Sequence, residues 1–249
     1  MMSRTGRLIG IASGKGGVGK TVVAIGLAQA LARAGRRVLL ADGDLGLANV
    51  DVQLGLAVTH DLMAVLEESV TLEAALVAHE SGLHVLPGRS GSGALATLDA
   101  SWIGRFAGLL RMAADRYDEV VVDIGAGLDP TPRRLAAACD TLLVVATDEP
   151  TSLTDAYAVL KLHRRDAPDA DARIVVNEAA DMTQGGRTHA ALDRACRGFL
   201  GRGVALAGVV RRDPLVRDAI RHQVPLLTRH PASHAAQDLE RVAQALLAA

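Results

Sequence analysis

Eight residues constrain this chain more than any others. Gly14–Thr21 reads GKGGVGKT, with the apolar run Leu8–Ala12 before it and a long stretch of helical spacing after it. Four glycines in eight positions interrupt both strand and helix. They let the backbone curl so that successive N–H groups point at one place, and the helix that follows adds a partial positive charge at its first turn. A strand must end near Ala12 and a helix must open near Gly19, side by side.

The remaining pattern repeats that unit. The first helix is expected from about Gly19 to Ala34, with Gly35 as its stop. Further strands are expected at Arg37–Ala41, Leu83–Leu86, Val120–Ile124, Leu142–Ala146, Ile174–Asn177 and Val204–Val210. These runs are apolar without alternation, as in strands covered on both faces. Trp102–Ala114 reads as a helix with Trp102, Phe106, Leu109 and Leu110 on one face, and helices are expected at about 151–164 and 186–200. The implied fold is α/β. It is a single domain over 1–249, with one doubly wound, mostly parallel sheet and helices on both faces. The Gly/Ser stretch Gly88–Gly93 reads as a switch or partner loop.

Composition removes several classes of function. Aromatic residues are 2% of the chain, so Ala, Val, Leu and Ile must fill the core, and stacking platforms for single-stranded nucleic acid are excluded. The net charge of −1 supplies no global pull toward DNA or an anionic membrane. Cys139 and Cys196 are too few and too far apart for a disulfide framework, a zinc site or an iron–sulfur carrier, and read as buried thiols. The eight histidines show no metal-ligand spacing. Met1–Arg7 lacks an apolar core, and no run reaches about 18 apolar residues, so a cytoplasmic protein is expected.

Gly14–Thr21 matches G-x-x-x-x-G-K-[ST] in full and in the strand–loop–helix context that the motif requires. Gly14, Lys15, Gly16, Gly17, Val18, Gly19, Lys20 and Thr21 are therefore expected to cradle nucleotide phosphates. Lys20 would reach the β- and γ-phosphates, and the Thr21 hydroxyl would ligate Mg²⁺. The chain has three lysines against 24 arginines, and two of the three lie in this loop. Asp42-Gly43-Asp44 follows the second strand, where side chains face the ligand of a doubly wound sheet. Asp42 is expected to support Mg²⁺ or its waters, and Asp44 to orient an attacking water. Asp123 ends the run Val120–Val122 and is the strand-end acid expected beside Mg²⁺.

Lys15 makes the loop a deviant one. SGKGGVGKT resembles the P-loop of the MinD/ParA ATPases, and the stretches DLGLANVDVQLG (Asp44–Gly55), GLHVLPGRSG (Gly82–Gly91) and EPTSLTDAY (Glu149–Tyr157) resemble their flagellar-number regulator branch, FlhG/FleN. The resemblance implies an ATPase that binds ATP/ADP and Mg²⁺ and forms a homodimer on ATP, with Lys15 reaching the partner subunit's phosphates. It implies a hydrolytic role for Asp44 and an adenine contact for Asn177. A largely backbone contribution from Arg212-Asp213-Pro214 is implied as well, with Asp213 at the base pocket. It also implies a regulator of flagellar number, placement and biosynthesis. Its partners would be the flagellar GTPase FlhF, C-ring components or a flagellar transcription activator, with peripheral association at the inner face of the membrane or the cell pole. A septum-site or chromosome/plasmid-partition positioning ATPase is the alternative.

Two departures qualify that picture. Only Met1–Arg7 precede the first expected strand, so no GTPase stimulation through a DQAxxLR-type segment is expected. His234–Leu247 places Leu239, Val242, Ala243 and Leu246 on one face, flanked by Asp238, Glu240 and Arg241. That polar face is not basic, so a helix packed on the domain is expected rather than a membrane-surface helix. Arg211, Arg212, Arg217 and Arg221 alternate with Asp213 and Asp218, which predicts a solvated face rather than a DNA-binding one.

Overall fold

The computed structural model describes residues 5–44, 46–88 and 100–248. Strand β1 (Arg7–Ala12) runs into the glycine-rich loop, and helix α1 (Lys20–Arg33) leads to β2 (Val38–Gly43). A peripheral excursion follows: short helices α2 (Val50–Leu54), α3 (Leu62–Leu66) and α4 (Leu72–Ala75), then β3 (Val77–Ala78) and β4 (His84–Leu86). The chain returns through α5 (Ala100–Ala113) to β5 (Glu119–Ile124). It then alternates α6 (Pro130–Ala137), β6 (Thr141–Ala146), α7 (Pro150–Asp166), β7 (Asp171–Ala179), α8 (Met182–Leu200) and β8 (Ala205–Arg211). Helices α9 (Pro214–Arg221), α10 (Leu226–Arg229) and α11 (His234–Leu247) close it.

The strands form one sheet in the order β3-β4-β2-β5-β1-β6-β7-β8. All neighbours are parallel except β3 and β4. Strand β1 is central, and the chain leaves it toward β2 on one side before turning to β6 on the other. That reversal opens a crevice at the carboxyl end of β1.

The unbroken apolar runs serve two cores. In β1, Leu8 and Ala12 join the layer with Phe106, Leu135 and Leu160, whereas Ile9 and Ile11 join the layer with Leu27, Leu31 and Leu239. In β5, Val120, Val122 and Ile124 face the first layer and Val121 the second. Period-2 geometry sends adjacent residues to opposite faces, and helices on both faces make every position apolar.

Several boundaries move from those expected. Helix α8 begins four residues before 186, because the Asp181 side chain accepts from the Gln184 N–H and caps it there. Strand β7 continues two residues past Asn177 to Ala179, with an irregular register against β8 at that end. On α5, Phe106 and Leu110 are buried and Leu109 and Trp102 are partly buried. Of Gly88–Gly93, only Gly88 is among the described residues.

Helix α11 packs on the domain, as its polar face implied. Leu239, Val242, Ala243 and Leu246 are buried, and the helix lies against α1 and β8. Gly26 and Gly208 make the seat flat: a Cβ at either would strike Leu239 or Val242. Asp238 corrects the expected pattern, because it belongs to the buried face and is 1% exposed. Its carboxylate accepts from the Arg211 backbone N–H at 3.0 Å, from Arg211 Nε at 2.8 Å and Nη2 at 2.9 Å, and from Arg241. Arg211 therefore leaves the solvated arginine face on which the sequence placed it. Cys139 and Cys196 are both buried free thiols.

Candidate functional site

The crevice collects the carboxyl ends of β1, β2, β5, β7 and β8. Helix α1 starts there, and its N-terminus differs from those of α8 and α11. Asp181 caps α8 and Ser233 caps α11, but α1 has no side-chain cap and no acid in its first turn. Its first N–H groups and the positive end of its dipole are left for an anion. Gly19 enters the helix at φ 82°, a left-handed conformation, and a Cβ there would overlap Asn177 Nδ2. Only glycine fits.

Lys20, Thr21 and Asp123 converge. Lys20 Nζ lies 2.8 Å from Asp123 Oδ1, and the Thr21 hydroxyl donates to Asp123 Oδ2 at 2.7 Å. All three are buried. Burial pushes the Asp123 carboxyl above its usual range, and the Lys20 ammonium pulls it back. A hydroxyl and a carboxylate meeting beside an ammonium and a helix N-terminus suit a phosphate chain with a hard, oxygen-liganded cation.

Asp42 lies beside Asp123 on the neighbouring strand, the two in register. Its oxygens accept from the N–H groups of Asp44 (3.1 Å), Asn49 (2.9 Å) and Val50 (3.0 Å). It is fully buried and pushed up to about 7, first by burial and then by the nearby Asp123 charge. Asp42 thus ties down the loop that carries Asp44. Asp44 accepts from the Gly46 and Leu47 N–H groups and lies against Gly125, the first residue after β5.

Lys15 goes elsewhere. Its ammonium, about half exposed, sits 2.9 Å from Glu149 Oε2 and 3.3 Å from the Thr151 hydroxyl, at the start of α7. Glu149 and Thr151 lie in the stretch EPTSLTDAY, where the sequence alone assigns them no role. Their signal was their place after β6, the strand next to β1.

Asn177 donates to the Val18 carbonyl at 2.8 Å, which ties β7 to the loop. Beside it a pocket of about 550 Å³ is lined by Gly19, Val22, Asn177, Glu178, Arg212 and Pro214 among others. Glu178 holds φ 54°, a strained conformation for a non-glycine residue, where β7 becomes irregular. Asp213 lines the pocket, but its oxygens are engaged by the Leu215 and Ala235 N–H groups, capping α9 and holding the start of α11. Arg212 and Pro214 line the pocket on either side of Asp213.

Comparison with known proteins agrees with this fold. The family described as CobQ/CobB/MinD/ParA nucleotide binding domain matches residues 9–226. The chain is 38% identical to the antiactivator FleN of Pseudomonas aeruginosa, over 96% of this chain and 85% of that protein. It is 28% identical to the flagellum site-determining protein YlxH of Helicobacter pylori, over 97% of this chain and 82% of that one. The septum site-determining protein MinD of Pyrococcus horikoshii, solved with Mg-ADP, superposes with a TM-score of 0.82 at 27% identity, covering 96% of this chain and 95% of that one.

Proposed function

The chain belongs to the CobQ/CobB/MinD/ParA nucleotide-binding family, and from that premise we propose that it is an ATP-hydrolysing dimerisation switch that sets flagellar number and placement. The names of its relatives supply the process, an antiactivator FleN and a flagellum site-determining protein. The carrying observation is the position of Lys15, held on the exposed Glu149 and Thr151 and not over its own phosphate loop.

In this reading Gly14–Thr21 and the first turn of α1 bind the phosphates, with Lys20 on the β- and γ-phosphates. Thr21 and Asp123 hold Mg²⁺, as their convergence supports. Mg²⁺ when bound neutralises phosphate charge. Asp42 acts one step back by fixing the Asp44 loop, and Asp44 orients the attacking water near Gly125. Asn177 and the 212–214 backbone receive the base. A second subunit draws Lys15 from Glu149 onto its phosphates. The Lys15–Glu149 pair is exposed, so losing it costs only about 0–1 kcal/mol. Hydrolysis breaks the bond between the β- and γ-phosphates, and departure of the freed phosphate removes the charge that holds the dimer and returns Lys15. Flagellar assembly proteins are the partners, and no described helix is long and apolar enough to cross a membrane.

Two measurements test this. Light scattering on purified Asp44→Ala should show a monomer that doubles in mass with ATP and Mg²⁺, while turnover drops about 100-fold. A monomer at saturating ATP would sink the switch. Deleting the gene should raise flagella per cell, with wild type but not Asp44→Ala restoring the count. An unchanged count together with misplaced division septa would favour the septum-positioning role of the MinD relatives.

A further inference from the structure

The pocket beside Asn177 has two acids in its lining, Glu178 and Asp213, and only one of them is committed. Asp213 accepts from the Leu215 and Ala235 N–H groups. Among the described residues, the Glu178 carboxylate has one partner, Arg212 Nε at 3.9 Å, beyond hydrogen-bond reach. Its side chain is 46% exposed, so its oxygens stay open to a ligand in the pocket.

The backbone has been bent to put that carboxylate there. In a regular strand Asn177 and Glu178 would point to opposite faces of the sheet. Both nevertheless line the same pocket. The break in alternation lies at Glu178 itself, which holds φ 54° where the register of β7 against β8 shifts between Val176 and Ala179. Glycine takes up that conformation at no steric cost, and glutamate does not. Among the described residues two other non-glycine residues have positive φ, Glu68 and Gln223, and neither lines this pocket. A charged side chain kept on a strained backbone at a ligand pocket points to use there rather than to folding.

The chemistry of the two neighbours narrows that use. Asn177 donates through Nδ2 to the Val18 carbonyl at 2.8 Å, which leaves its Oδ1 as an acceptor. An amide oxygen and a carboxylate side by side ask for a group with two N–H bonds to give. We propose that Glu178 selects the base. With Asn177 it presents one acceptor to each N–H of the exocyclic amino group of adenine, and it turns away guanine, whose oxygen at that position is itself an acceptor. A site built to accept from an amino group is left unpaired and desolvated by the base that lacks one, which is where discrimination comes from. This assignment rests on the reading of the pocket as the base site.

The test measures affinities of the full chain by competition against a ribose-labelled fluorescent ATP analogue with Mg²⁺. The competitors are ATP, GTP and purine riboside triphosphate, which lacks the amino group. Wild type should prefer ATP to each of the other two by at least about tenfold, the scale of one hydrogen bond to a charged group. Glu178→Ala should weaken ATP by about that factor and leave purine riboside triphosphate where it was. Glu178→Gln should bind GTP more tightly than wild type does, because its amide can turn to donate to the guanine oxygen. Glu178→Gly relieves the strained φ, so it should melt no lower than wild type while losing the preference for ATP. Equal affinity of wild type for ATP and GTP overturns the proposal. So does a Glu178→Ala variant that weakens ATP and purine riboside triphosphate alike, or a preference lost only in step with the melting temperature. Val22→Trp, which fills the pocket, separates the two levels of the argument. If it weakens ATP while the Glu178 variants keep the wild-type preference, only the role of Glu178 falls. If it leaves ATP binding untouched, the base lies elsewhere and the reading of the pocket falls with it.

Discussion

The two lysines of the phosphate loop, five positions apart, occupy opposite environments. Lys20 is buried on Asp123, and Lys15 is about half exposed on Glu149. Their substitutions should therefore fail differently. Lys20→Ala should abolish binding of a fluorescent ATP analogue. Lys15→Ala should bind it within about threefold of wild type yet remain monomeric by light scattering, since its loss costs little in the monomer. Equal loss of binding in both would mean that Lys15 serves its own subunit. Asp42 carries a pH signature. Its folded value of about 7 lies above the ordinary 3.8, so the native state takes up a proton that the unfolded state does not. Its stabilising contribution is therefore full below 3.8 and is lost as pH rises through 7. Relative to Asp42→Asn, wild type should gain stability on acidification from pH 8 to 5, by at most about 1.4 kcal/mol per pH unit. Urea unfolding at the two pH values measures it, and a difference independent of pH would count against the assignment.

Among the helices, long periodic ones were legible and short ones were not. The strand expected at Val120–Ile124 is observed as Glu119–Ile124, because three consecutive valines, Val120–Val122, leave little choice. Helices α2, α3 and α4 have four or five residues each, too few for a period to register, and their shape comes from Asp42, Asp61 and Thr71 accepting backbone N–H groups. Helix α11 was read correctly in its apolar face and wrongly at Asp238, since a charge that follows an apolar stripe looks solvated until its partner is known. Its partner Arg211 ends β8, 27 residues earlier. Asp238→Ala leaves the Arg211 guanidinium without its fork. Because Arg211 retains some access to water, the cost should sit at the low end for a broken buried pair, about 3 kcal/mol. A shift of under about 1 kcal/mol in urea unfolding would show that Arg211 solvates readily.

For the whole molecule, α11 is part of the second core layer rather than an appendage. Leu239, Val242 and Leu246 are each at most 1% exposed, and each is worth about 1.5–3 kcal/mol when buried. Their sum is comparable with the total stability of a domain. A chain cut before His234 should lose its cooperative thermal transition. A cut chain that still melts cooperatively would make α11 dispensable. The sequence by itself determined the α/β class, the phosphate loop, its Lys20 and Thr21, and the acids at the ends of β2 and β5, because each of these is written in a few adjacent residues whose backbone needs are local. Tertiary structure alone decided that Lys15 rests on Glu149, that Asp42 holds a loop by three N–H groups, that Asp213 caps helices, and that Glu178 and Arg212 line one pocket. Each joins residues whose meeting depends on how strands and helices are ordered in space, and no local spacing encodes that order.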